Sequence, residues 1–281
     1  MQKFCDIIEK NFGGMKLKNF IQLRDRKIEL GKKTLVMGIL NVTPDSFSDG
    51  GFFNSAENAF KHAKKLVEDG ADIIDIGAES TRPNFIPVSA EEEISRLEKI
   101  IPAVKSLGVP ISIDTYKPKV AEFALNHGAD ILNDVTGLSN KQMLEVAKKF
   151  SSPVIAMHNK KISADILEDI KNFFNATSKL CEENNLQVIF DVGIGFGKTQ
   201  EENLTVLKNL REFKNFPTLL GVSRKSVIGY ATGFEVDNRD EATGAICVLA
   251  ISAGVDIVRV HNVEMISKMC KMTDCLIRKK I

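Results

Sequence analysis

The chain has 281 residues, 43% hydrophobic and 27% charged, a length and balance that suit one large α/β domain and exclude a disordered or collagen-like polypeptide. Its 38 Lys plus Arg stand against 37 Asp plus Glu, so the global charge asks for neither nucleic acid nor an acidic membrane surface, and any substrate signal must be local. Five cysteines (Cys5, Cys181, Cys247, Cys270, Cys275) show no C-x-x-C pair or zinc spacing and suit inert, reduced thiols in a cytosol; the start has no apolar leader and no later run is long enough to span a bilayer, so neither export nor insertion is expected.

Residues 1–14 read as an extension, and 20–30 (FIQLRDRKIEL) as two short strands around Arg24-Asp25-Arg26, a hairpin closing the floor of a barrel. Residues 1–30 are thus set apart from a main unit of 31–281. From there a short β-branched apolar run, a polar or glycine-rich loop and an amphipathic helix pattern repeat eight times. The runs are 35–42, 72–77, 110–115, 130–135, 153–158, 187–192, 218–223 and 256–261; the helix patterns are 56–69, 90–107, 118–127, 141–150, 164–184, 201–213, 239–253 and 263–278. Ser89-Ala-Glu-Glu92 and Thr199-Gln-Glu-Glu202 carry capping-box signatures at two helix starts. Gly70, Gly128 and Gly254 each stand two residues before an aspartate that opens a strand, where glycine suits the left-handed residue ending a helix. Strands apolar on both faces and alternating with helices imply a parallel sheet covered by helices. Eight units favour a closed (β/α)8 TIM barrel, with an open doubly wound sheet as the alternative.

In a barrel the chemistry sits at the C-terminal ends of the strands. Here those ends offer Asn41; Glu79 with Thr81 and Arg82; Asp114; Asn133 and Asp134; His158; Asp191; Ser223 with Arg224 and Lys225; and Arg259 with His261. Strand ends are polar in part because they meet water, but Asp114, Asp191 and Arg259 lie inside apolar runs, where a charge is costly without a partner or ligand. Asp114, Asn133, Asp191 and Lys225 together suit the edge of a flat, nitrogen-rich heterocycle. Asn41, Arg82, Arg259 and His261 suit an oxyanion, with guanidinium forks matching phosphate. Two long loops, 43–54 and 80–89, follow the first two strands as candidate lids, the first carrying Phe47, Phe52 and Phe53. Other signals fail: Gly193-Ile-Gly195-Phe-Gly197-Lys198 fits neither the dinucleotide nor the P-loop pattern, no Ser/His/Asp triad is legible, and His62 and His127 fall on helix patterns as solvated surface residues. His158 stays open between packing at the barrel mouth and function.

Met37-Gly-Ile-Leu-Asn41-Val-Thr-Pro-Asp45-Ser-Phe47-Ser-Asp49-Gly-Gly51 resembles the first signature of the dihydropteroate synthase family, and Glu79-Ser-Thr81-Arg82-Pro83 the second. Ile113-Asp114-Thr115, Asn133-Asp134-Val135, Asp191-x-Gly193-x-Gly195-Phe196-Gly197-Lys198, Ser223-Arg224-Lys225-Ser226 and Arg259-Val260-His261 come next, in family order. The resemblance implies a transferase that joins 6-hydroxymethyl-7,8-dihydropterin pyrophosphate to p-aminobenzoate, releasing pyrophosphate, in folate biosynthesis. It implies a pterin pocket of Asp114, Asn133, Asp191 and Lys225, and a pyrophosphate side of Asn41, Thr81, Arg82, Arg259 and His261, with Asn41 near Mg2+. The p-aminobenzoate pocket would take Phe47, Thr81, Pro83, Phe196 and Ser223. Asp49 would stabilise a pterin methylene cation, with Lys225 and Arg259 the other catalytic groups. The family further implies a cytoplasmic homodimer with no nucleic-acid or membrane partner. Three departures, Val192, Asn84 and the short run Met157-His158-Asn159-Lys160, bear on loop shape and on sulfonamide binding. Corrinoid-linked methyltransferases acting on methyltetrahydrofolate share such a barrel but lack the T-P-D-S-F-S-D-G run present here; the other alternative is a non-catalytic pterin-binding paralogue.

Overall fold

A computed structural model describes residues 20–42, 51–79 and 87–278. Two short antiparallel strands, β1 (Phe20–Gln22) and β2 (Lys27–Glu29), form the expected hairpin. The next eight strands are β3 (Leu35–Asn41), β4 (Ile73–Gly77), β5 (Ile111–Asp114), β6 (Ile131–Asp134), β7 (Val154–Met157), β8 (Val188–Asp191), β9 (Thr218–Leu220) and β10 (Ile257–Val260). They pair in parallel and in sequence order, and β10 bonds to both β9 and β3, so the sheet closes into a barrel and the open-sheet alternative is set aside.

The helices are α1 (Gly51–Glu68), α2 (Ala90–Leu97), α3 (Ile100–Lys105), α4 (Pro118–His127), α5 (Lys141–Phe150), α6 (Ile166–Glu183), α7 (Gln200–Lys208), α8 (Ser226–Thr232), α9 (Asp240–Ala253) and α10 (Val263–Ile277). The pattern over 90–107 is two helices instead of one: Pro102 has no N–H to give the carbonyl four residues back and its ring crowds that turn, so the chain breaks at Glu98 and Lys99. The helix expected over 201–213 stops at Lys208 and tightens into a 3-10 turn, Leu210–Phe213. The short α8 lies where no helix is expected, since Val227, Ile228 and Gly229 are weak helix formers. At Thr199 both halves of the capping box form, whereas Ser89 accepts from Glu92 N–H but Glu92 turns its carboxylate to Arg96. Gly70, Gly128 and Gly254 have φ of +107°, +116° and +108°, the conformation that the glycine signal foretold.

Two apolar layers result. Between strands and helices lies the larger core; inside the barrel, Leu35, Ile73, Ile131, Ile155, Ile189, Leu219 and Ile257 form a floor capped by Ile21 and Leu23 of the hairpin. Cys181, Cys247 and Cys270 are buried, and none of the described cysteines is in a disulfide; burial pushes their thiols up to about 11, 12 and 12, so they carry no thiolate chemistry near neutral pH. Among the described residues no helix is long and apolar enough to cross a membrane.

Candidate active site

Side chains alternate along a strand, so the next inward residue after each floor position lies two further on. On β4, β6, β8 and β10 the step from Ile73, Ile131, Ile189 and Ile257 leads to Asp75, Asn133, Asp191 and Arg259. β5 adds Asp114, in register with Gly77 and Asn133. Arg259 gathers them: Nε donates to Asp75 Oδ2 at 2.6 Å and Nη2 to Asp114 Oδ2 at 2.8 Å. Asn133 Nδ2 faces both oxygens of Asp75, at 3.3 and 3.2 Å. Asp191 Oδ1 accepts the Gly193 N–H at 2.8 Å.

These groups are deeply placed, and their ionisation shows it. Asp75 is 0% and Asp114 6% exposed. Burial raises the Asp114 carboxyl to about 7 against the pull of Arg259, with Asp75 adding repulsion. Burial also raises Asp191, opposed by Lys225, and lowers Lys225 to about 8, opposed by Asp191. The paired carboxylates hold Arg259 firmly charged. Asp75, Asp114 and Asp191 thus face Arg259 and Lys225, and the charge of Lys198 also reaches Asp191. Asp114 Oδ1 is buried and meets no donor among the described residues. A buried acceptor with no partner is a place for a ligand N–H.

Loops above the strands supply a second tier. Ser223 Oγ accepts the His261 N–H at 3.2 Å and lies 2.9 Å from His261 Nδ1. Lys225 Nζ donates to the Ile194 carbonyl and stands 4.8 Å from the centre of the half-buried Phe196 ring. Asn41, in register with Gly77, ends β3. The run 193–198 has a backbone reason for its glycines. With φ of +68°, a side chain on Gly193 would strike the His158 carbonyl, and one on Gly197, at +59°, the Asn159 carbonyl. Lys198 Nζ straps this run to the preceding loop, donating to the carbonyls of His158, Gly193 and Phe196 at 3.0, 2.9 and 3.1 Å.

Several strand-end residues prove to be supports. His158 is buried, its Nε2 3.1 Å from Asp169 Oδ2, and Asp169 also accepts from Ile162 and Ser163 N–H, so the pair props the loop after β7. Asp134 accepts from the backbone of Thr136 and Leu138 and from the Thr136 hydroxyl, shaping the turn after β6. Glu79 accepts from Val88 N–H and Lys117 Nζ, and Lys117 also meets the Val88 carbonyl and Glu93, which ties the end of the segment after β4 to the start of the segment before α2. His62 and His127 are exposed, as expected. Phe47, Asp49, Thr81, Arg82 and Pro83 lie outside the described residues, as do the centres of both long loops.

Two features go beyond the sequence-based reading. Arg259, expected to face an anion, spends Nε and Nη2 on buried carboxylates. Asp75 is absent from the sequence-derived set although it is the hub of the site; it sits inside Ile-Ile-Asp-Ile-Gly, the same signal that singles out Asp114, but one turn of the pleat below the strand end.

The chain is similar to known proteins over nearly its whole length. The family model for pterin binding enzymes matches residues 37–261. Dihydropteroate synthase of Clostridium beijerinckii is 46% identical over 270 residues, 92% of this chain and 100% of that protein, and the Bacillus subtilis enzyme is 44% identical over 268 residues, 92% and 94%. Among solved structures, Clostridium difficile dihydropteroate synthase in the presence of pteroic acid superposes with a TM-score of 0.86 at 47% identity, covering 90% of this chain and 100% of that one. The Thermus thermophilus enzyme with 4-aminobenzoate gives 0.82 at 36%, covering 92% and 99%. With a buried carboxylate cluster at its barrel mouth, motifs in family order and likeness over nearly its whole length, the chain belongs to the dihydropteroate synthase family of pterin-binding enzymes.

Proposed function

We propose that the chain is a dihydropteroate synthase, joining 6-hydroxymethyl-7,8-dihydropterin pyrophosphate to p-aminobenzoate with release of pyrophosphate, in the cytoplasm. The observation that carries this is the unpartnered Asp114 Oδ1 among the buried Asp75, Asn133 and Asp191 and the half-buried Lys225 and Arg259. A dihydropterin edge alternates N–H donors with nitrogen and oxygen acceptors. Asp114 and Asp191 take the donors, Asn133 serves either kind, and Lys225 donates a hydrogen bond to an acceptor.

The chemistry rests on charge. Pyrophosphate leaves first and the pterin methylene becomes cationic; an ionised carboxylate at the mouth favours that cation in a site where water screens little. Asp49, on the loop after β3, is proposed to stabilise it more closely. No protein nucleophile is needed, because the p-aminobenzoate amine attacks the methylene and loses its proton. Lys225 holds the ring while the charge changes. Arg259 keeps Asp75 and Asp114 in place with two of its nitrogens and offers Nη1 to the leaving anion, alongside Asn41, Thr81, Arg82 and His261. Phe47, Thr81, Pro83, Phe196 and Ser223 are the proposed p-aminobenzoate pocket.

Asn41 brings a hard amide oxygen of the kind Mg2+ accepts, and that ion ordinarily completes its shell with water and phosphate oxygens. Among the described residues no group of three His, Cys, Asp or Glu could hold a metal, so the ligands beyond Asn41 would be pyrophosphate oxygens and water. When bound, Mg2+ would neutralise charge on the departing group. The chain is further proposed to form a homodimer, with Leu249 on α9 and Met272 and Leu276 on the adjoining α10, all exposed, as the face a second copy would cover; a monomer in analytical ultracentrifugation overturns this. For the reaction, purified protein is mixed with Mg2+, dihydropterin pyrophosphate and p-aminobenzoate. Dihydropteroate is the expected product, and its absence overturns the assignment.

A further inference from the structure

The turn after β9 has a geometry its residues do not favour. Lys225 N–H donates to the Val222 carbonyl at 3.1 Å, which closes a four-residue turn, and the third residue, Arg224, has φ +58°. A turn with positive φ at that position ordinarily takes glycine, because a β-carbon crowds the neighbouring carbonyl. The conformation matters because Ser223 and Lys225 flank it. Ser223 meets His261, and Lys225 meets Ile194, Phe196 and the charge of Asp191.

Arg224 is gripped from the start of α9. Its N–H donates to Thr243 Oγ1 at 3.2 Å, and its carbonyl accepts from Arg239 Nη1 at 3.1 Å. Its guanidinium forks onto Asp240, Nε to Oδ1 at 2.7 Å and Nη2 to Oδ2 at 2.8 Å. Such a two-point pair fixes orientation as well as distance. Asp240 Oδ2 also accepts from Asn262 Nδ2 at 3.0 Å. Asn262, next in the chain after His261, caps α10 through the Met265 N–H at 3.2 Å. One carboxylate thus ties the turn after β9 to the segment after β10.

We propose that Asp240 is a positioning residue for the synthase: it holds Arg224 in the left-handed turn, and so fixes Ser223 against His261 and Lys225 against Ile194 and Phe196, without touching substrate. The inference rests on the reading of those three residues as substrate-facing. It differs from a general stabilising role for an ion pair, because what the pair holds is a backbone conformation that glycine adopts unaided.

Three full-length variants separate the two roles. Asp240→Ala and Arg224→Ala both break the pair and leave a β-carbon at 224; Arg224→Gly breaks it and relieves the strain. Calorimetry with the bare dihydropterin alcohol is expected to show affinity about tenfold weaker for both alanine variants, the scale of coupling between residues in one network. Asp240→Ala should lose more than Arg224→Ala, since it also releases Asn262. Arg224→Gly should stay within about threefold of the wild-type chain, the usual gain of glycine over alanine at positive φ. The ratio kcat/KM for the pterin substrate should show the same order. Equal losses for Arg224→Ala and Arg224→Gly overturn the proposal. The urea midpoints of the same proteins, glycine above alanine, test the turn without any ligand. If the wild-type chain makes no dihydropteroate, the function fails while the midpoints still decide the turn.

Discussion

The two ends of the barrel interior lie one pleat apart and could hardly be less alike. At the floor, Ile73, Ile131, Ile189 and Ile257 close on one another under Ile21 and Leu23 of the hairpin; two residues on, the same strands present Asp75, Asn133, Asp191 and Arg259. Both layers are buried, so burial alone does not tell core from site. What differs is what each layer needs: the floor is complete in itself, whereas the mouth leaves Asp114 Oδ1 without a donor among the described residues and gathers charged groups that burial disfavours. A floor is judged by how well it excludes space, a mouth by which ligand would complete it.

The sharpest way to break this contrast is to remove the cation that joins two carboxylates of the mouth. Arg259→Ala leaves Asp75 and Asp114 facing each other without their cation, and losing one partner of a buried pair costs about 3–5 kcal/mol of stability. Urea unfolding is the measurement, and a loss within error of zero would mean that the carboxylates are solvated or protonated and that no network exists. Pterin binding should fall for the pyrophosphate-bearing substrate and for the bare alcohol alike, because Arg259 also orders Asp114. Losses confined to the pyrophosphate form would return Arg259 to an anion role alone.

The matching change at the floor is Ile189→Ala, expected to cost about 2–5 kcal/mol through the cavity it leaves beside Ile155 and Leu219. Its pterin affinity in the folded protein should be unchanged, since Asp191 is fixed by Gly193 and not by the floor. A weakened affinity would show that the layers are mechanically coupled.

Much of this contrast is legible in the sequence, and the parts that are not have physical reasons. The strand repeat, the glycines of positive φ and the polar strand ends locate the barrel and its mouth. Asp75 escapes because a search of strand ends stops one pleat too high. Lys117 and Lys198 escape because a buried lysine bonded to carbonyls or carboxylates is indistinguishable in sequence from a solvated one. Glu79 and His158, conversely, look like site residues and serve as loop supports, since their partners Lys117 and Asp169 lie 38 and 11 residues away. The pair that holds Arg224 is hidden in the same way, with Asp240 brought back by the turn of α8.

Within the mouth, Asp191→Asn and Asp114→Asn should each weaken pterin binding by about 1–3 kcal/mol, the worth of a hydrogen bond to a charged group. Stability should change little in Asp114→Asn, because Asp75 still pairs Arg259. Unchanged pterin affinity in both variants, by calorimetry, would remove the pocket from this part of the barrel.

The smallest and most diagnostic effect is on pH. Asp114 must be ionised to accept from Arg259 at Oδ2 and from a ring N–H at Oδ1 together, and burial raises its carboxyl to about 7. Protonation therefore weakens pterin binding as the pH falls through that value, and one unit below it only about a tenth of the carboxyl is ionised, so affinity at pH 6 should be about tenfold lower than on the plateau. Lys225 acts as a donor and is lowered to about 8, so a second decline should begin above that pH as the ammonium is lost. The two limbs leave a narrow optimum between them, seen in pterin affinity and in kcat/KM. Asp191 is raised as well, by the same burial, and could carry the acid limb instead. The variants decide: Asp114→Asn should flatten the acid limb while Asp191→Asn keeps it, because Asp191 has Gly193 N–H and Lys225 to favour its charge, whereas Asp114 has Asp75 against it. An acid limb that survives in Asp114→Asn and disappears in Asp191→Asn would reverse that order and make Asp191 the carboxyl whose ionisation admits the pterin.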